Sequence, residues 1–168
     1  MGFKEAYSHV LAWESKGPGE DGMSFAGIDR RSWPKWEGWA LPILTWETAE
    51  ELVKQFYVDL WNVSKASEMG SLSTDYFDTV VLQGQRKAVA LLQRMYNLLS
   101  RETLAIDGIY GDQTRIRLSY LATKVDAIRR LGVYRACRIS TIIDLVEMGP
   151  HLERYLWGWL KRAQGGLP

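Results

Sequence analysis

The chain has 168 residues, of which 46% are hydrophobic, and it carries eight Trp and eight Tyr. That is enough apolar material for one compact domain, and it excludes a disordered segment. The net charge of +1 hides an asymmetry: residues 1–84 hold seven Lys/Arg against 13 Asp/Glu, and residues 85–168 hold 14 against seven.

A basic back half suits nucleic acid, anionic lipid or an anionic wall polymer, and scattered surface charge accounts for it equally. Cys137 is the single cysteine, so an internal disulfide and a Cys-based metal site are excluded within one chain. His9 and His151 lack ligand-like spacing, and no metal or cofactor is expected. No apolar run approaches 18 residues, and the N-terminus has no signal-peptide pattern.

Phe3, Ala6, Tyr7, Val10 and Leu11 recur at helical spacing, so a first helix is predicted over 3–14, stopped by Gly17, Pro18 and Gly19. SFAGI, 24–28, reads as a short strand or hairpin arm. Trp33, Trp36 and Trp39, set between Pro34 and Pro42, predict irregular structure with short turns.

TWETAEELVKQFYVDLWN is a second helix with Thr45 as N-cap and an apolar stripe from Trp46 to Trp61. A third is expected over about 74–99. Gly84 would sit inside it at a cost of about 1 kcal/mol against Ala, a cost that close helix packing would explain. Asp107-Gly108 marks a turn. Helices follow at roughly 112–130, 133–147 and 151–163. The fold class is therefore mainly α, with at most a small β element near residues 20–30.

Glycosidic cleavage needs a carboxylic acid that can protonate the leaving oxygen. Glu14 lies at a helix end beside Trp13 and faces a Gly-rich acidic turn. Apolar surroundings there would desolvate its carboxyl and raise its pKa. Asp21 or Glu20 would supply a second acid across a cleft, and Ser24 would orient a water. Ordinary solvated surface acids explain the same spacing, and the residues alone leave both readings open.

AWESKG (12–17), GPGEDGMS (17–24) and AGI (26–28) resemble the opening signature of the phage and bacterial N-acetylmuramidases of glycoside hydrolase family 108. YFDTVVLQGQRKAVALLQR (76–94), DGIYGDQT (107–114) and WGWLKRA (157–163) resemble later elements of that family, in the same order. Ser15 and Lys16 stand where the family prefers two glycines, and Val81 or Leu82 stands where it has an Asn.

The resemblance implies a lysozyme-like helical fold. Residues 1–91 would form the catalytic region and 92–168 a peptidoglycan-binding-like region, packed as one compact unit. It implies a peptidoglycan hydrolase of the endolysin or secretion-activator type, with Glu14 as general acid and Asp21 and Ser24 completing the catalytic set. Glu20, Trp33, Trp36, Tyr76 and Gln83 are the expected substrate contacts. Asp78 is expected to be structural, bonded to backbone or arginine, and Trp157, Trp159 and Arg162 to form a buried seam with a salt link.

The implied partner is the glycan strand, with neither nucleic acid nor stable membrane insertion. The expected state is a monomer in the bacterial host cytoplasm, released to the periplasm or wall by a holin or a secretion apparatus. A wall-binding protein without turnover and a lytic transglycosylase are the alternatives.

Overall fold

The computed structural model describes residues 2–19, 22–149 and 152–166. Among them are seven helices: α1 (Phe3–Trp13), α2 (Trp46–Val63), α3 (Ser73–Gln83), α4 (Gln85–Leu99), α5 (Asp112–Lys124), α6 (Ala127–Met148) and α7 (Glu153–Ala163). One antiparallel hairpin joins β1 (Ser24–Phe25) to β2 (Ile28–Asp29). The protein is mainly α, as the periodicities predict.

The hairpin turn explains its own sequence. Ala26 and Gly27 both have positive φ, 48° and 78°, the pattern of a two-residue turn matched to strand twist. The segment after α1 then folds back on β1. The Ala26 amide donates to the Gly17 carbonyl at 3.0 Å, and the Gly19 amide to that of Ser24 at 2.9 Å. These two bonds tie Gly17 and Gly19 to β1 close to the end of α1.

Ala49, Val53, Tyr57 and Trp61 form the buried stripe of α2. It packs with Ala6 and Val10 of α1 and with Phe77 of α3. Trp61 meets Phe77 edge-on at 5.1 Å, a favoured aromatic geometry. Tyr76 belongs to this core too. It is fully buried, and its hydroxyl donates to the Ser64 carbonyl at 2.9 Å. The expectation that Tyr76 contacts sugar is therefore corrected: neither its ring nor its hydroxyl reaches solvent.

The long helix expected over 74–99 is two helices. Gly84 separates α3 from α4 with φ 84° and ψ 156°, a region open almost only to glycine. Nothing lies within 4 Å of where its Cβ would stand. Backbone geometry, not close packing, is what requires glycine there. The helix expected over 112–130 also divides. α5 ends at Lys124, and Asp126 caps α6 by accepting from the Arg129 amide at 2.9 Å.

Gln93 of α4 pins the Asp107–Thr114 turn. Its amide nitrogen donates to Asp107 Oδ1 at 2.7 Å and Thr114 Oγ1 at 3.1 Å, and its carbonyl accepts from the Gly108 amide at 2.9 Å. The sequence-based division at 91/92 falls inside α4, and one core cluster runs from Ala6 to Cys137.

Two glycine substitutions test this account with opposite signs. Gly84→Ala is expected to destabilise by about 1–3 kcal/mol although its surroundings are open. Gly132→Ala, inside α6 and also with open space around it, is expected to stabilise by about 0.5–1 kcal/mol. Urea unfolding of the two variants against the wild type measures both.

Candidate active-site groove

A groove of about 690 Å³ lies between the hairpin, the outer face of α2, the end of α3 and α7. Glu14, Ser24, Asp29, Trp33, Gln83 and Trp159 line it, with Phe56, Leu60 and Val80–Leu82 as its apolar wall. Glu14 is the C-cap of α1. Its amide donates to the Val10 carbonyl at 3.0 Å, while its backbone turns extended at φ −84° and ψ 136°. The helix thus ends where its last side chain meets the groove.

Two features hold that side chain. Arg162 Nη1 donates to Glu14 Oε1 at 2.6 Å. From the other side the hairpin turn closes in: a Cβ on Gly27 would lie 2.7 Å from Glu14 Cγ and Cδ and from Tyr57 Oη. Tyr57 anchors the turn by donating to the Ala26 carbonyl at 2.8 Å. Burial, reinforced by the Glu14 charge, pushes the Tyr57 phenol up, so it stays a donor. The surroundings of Glu14 are not simply apolar, as Trp13 next to it suggests. Its side chain is about one-fifth exposed and has a buried counter-ion.

Beneath the groove lies an ionic cluster. Asp78 and Arg138 are fully buried. Arg162 Nε donates to Asp78 Oδ1 at 2.8 Å, and Arg138 Nη2 donates to Asp78 Oδ2. One turn earlier on each helix, Asp75 takes two bonds from Arg135, at 2.6 and 3.1 Å. Burial alone would push the Asp78 carboxyl up, but the Arg138 and Arg162 charges and their hydrogen bonds outweigh it and hold the carboxyl below the usual carboxylate range. Opposed by burial but favoured by Asp78 and Glu14, Arg162 is held still more firmly protonated. Asp78 is structural, as expected, and its partners are arginines.

The other expected residues divide. Ser24, Trp33 and Gln83 line the groove with Glu14. Trp33 is half-exposed and stands edge-on to Phe56 at 5.0 Å. Trp36 does not line it. Its ring stacks on Phe25 at 6.2 Å and meets Trp39 edge-on at 4.9 Å, and its Nε1 donates to the Leu52 carbonyl at 3.4 Å. Hydrophobic packing behind the hairpin has claimed it. Asp21 and Glu20 lie outside the described residues.

Two groove residues escaped the sequence reading. Asp29 pairs with Ser24 across the hairpin. Cross-strand partners share a face, so a settled hairpin register would have found it. Burial pushes the Asp29 carboxyl up slightly, but bonds from the Arg31 amide, the Arg31 guanidinium and the Ser32 hydroxyl hold it below the usual range. Trp159, expected in a buried seam, instead lines the groove with Tyr155 stacked on it at 5.6 Å. Trp157 is 71% exposed and belongs to no seam.

Asp78→Asn leaves Arg138 without a carboxylate and Arg162 with Glu14 alone, and about 3–5 kcal/mol of stability should be lost at neutral pH. Because folding lowers the Asp78 pKa, its contribution is present above the ordinary carboxylate value of about 4 and disappears as pH falls through the folded value. Denaturant melts across pH 2–7 should therefore show acid destabilisation in the wild type and a flatter profile in Asp78→Asn.

Comparison with protein-family models, curated proteins and solved structures finds no match.

Proposed function

We propose that the chain is a peptidoglycan hydrolase. It cleaves the β-1,4 bond between N-acetylmuramic acid and N-acetylglucosamine, with Glu14 as general acid. The observation that carries this reading is one carboxyl, fixed between Arg162 and the Gly27 turn, opening into a groove large enough for sugar rings. The resemblance of the Glu14 stretch and three later motifs to family 108 muramidases supports the same assignment.

In this mechanism Glu14 gives its proton to the oxygen between two aminosugars. Positive charge develops on the muramic acid ring as that bond breaks. Asp29 supplies fixed negative charge on the hairpin wall, and Ser24 on the adjacent strand orients water. Asp21 remains the family-implied second carboxylate. The Trp33 and Trp159 rings offer apolar faces to the pyranose rings, and Gln83 offers an amide to sugar hydroxyls. The protein acts on the wall as a monomer after release from the host cytoplasm, through a holin or a secretion apparatus.

A wall-binding protein without turnover is the second reading. One observation favours it: Glu14 is the counter-charge of a buried arginine, a structural duty that persists without catalysis.

Turbidity loss of permeabilised bacteria separates the two. Glu14→Gln should lower the rate by at least about 100-fold, the usual scale for losing a general acid. Equal activity in both proteins removes Glu14 from the role, and wall binding without lysis by either favours the second reading. Mass spectrometry of the fragments should give reducing muramic acid ends; anhydro ends would instead identify a transglycosylase. Trp159→Ala should raise KM for glycan fragments several-fold while leaving kcat near wild type, because a stacking face binds ground and transition states alike.

A further inference from the structure

We infer that Arg162 is a positioning residue for Glu14, and that α7 is consequently part of the catalytic centre and not a separable wall-binding appendage. The inference rests on the hydrolase reading above. It starts from a long-range contact: 148 residues separate the two side chains, yet Arg162 Nη1 lies 2.6 Å from Glu14 Oε1.

Arg162 is 5% exposed, and its guanidinium is also bonded on its other edge. Nε and Nη2 both lie 2.8 Å from Asp78 Oδ1, and Asp78 is itself held by Arg138. The planar guanidinium is bonded through Nε to Asp78 on one edge and through Nη1 to Glu14 on the other, so the two carboxylates together set its plane, while Nη2 makes no hydrogen bond of its own.

Glu14 is therefore held through Oε1 by a buried guanidinium that is itself bonded to Asp78. The Gly27 turn lies close against the same side chain. Oε2 is left as the oxygen that carries the transferred proton, aimed by the grip on Oε1. The end of α7 is tied down beside this contact. The Trp13 indole, one residue before Glu14, donates to the Gly166 carbonyl at 3.2 Å, and the Gly165 backbone lies against the Arg135 guanidinium. Glu14 and Arg162 thus sit on two chain segments that are also joined independently of their ion pair.

The test uses the full chain, with kcat and KM measured on soluble glycan fragments and corrected for the folded fraction by circular dichroism. Four proteins are compared: wild type, Glu14→Gln, Arg162→Gln and Arg162→Lys. Arg162→Gln should lower kcat by about 10- to 100-fold at nearly unchanged KM, the scale of a misplaced catalytic group. Arg162→Lys keeps the charge facing Asp78 but lacks the fork. It should fold, recover only part of kcat and leave KM alone.

A purely structural role predicts wild-type kcat per folded molecule, and that result in either folded variant overturns the inference. Failure of both variants to fold also overturns it, since Arg162 would then serve the fold alone. An inactive wild type, or a fully active Glu14→Gln, defeats the hydrolase reading itself. An active wild type, an inactive Glu14→Gln and undiminished Arg162 variants defeat the positioning role alone.

Discussion

A single buried carboxylate organises the molecule. Asp78 has no exposure to water, and such a charge is tolerated inside a protein only when it is paired and hydrogen-bonded. Its two oxygens are met by arginines from two different helices, Arg138 of α6 and Arg162 of α7. Those helices pack on one another, and α1 lies against α3, which carries Asp78. Three helices meet at that one charge, and α1 joins them through the Glu14–Arg162 pair. Nonpolar packing alone would hold them together without fixing their register so narrowly.

The groove inherits its order from that point. Arg162 bonds Asp78 through Nε, and its Nη1 passes the constraint on to Glu14. The hairpin supplies the opposing surface through Gly27, with Tyr57 of the core α2 stripe holding the turn. The groove is thus a rigid consequence of the interior. Its catalytic candidate sits at a helix end and faces a two-residue turn, and both are positions fixed by backbone hydrogen bonds.

Much of this was legible in the sequence, and the reasons differ by element. α1 and α2 declare themselves by apolar spacing, and the Thr45 cap marks a boundary by local chemistry, whereas the Ala26-Gly27 turn falls inside the 24–28 stretch expected as a strand or hairpin arm. Glu14 was legible because it stands where a helix must stop. The division of the long helix at Gly84 was not. Periodicity continues across it, and only the dihedral angles reveal that the glycine serves a turn and not a close contact. Tyr76 and Trp36 show the limit of composition: an aromatic residue near a groove in sequence can face the core in space. Arg162 shows another limit. Its partners Asp78 and Glu14 lie 84 and 148 positions away, a separation over which no local pattern carries information.

The interruption at Gly84 has an effect beyond bending the chain. A helix that stops leaves the carbonyl groups of its final turn without amide partners from the next turn, and Val81, Leu82 and Gln83 occupy that turn along the groove. Acceptors supplied by the main chain persist whatever side chains evolution places there. Aliphatic residues at 81 and 82 therefore set how wet that wall is, while the main-chain acceptors of the final turn do not depend on which side chains stand there.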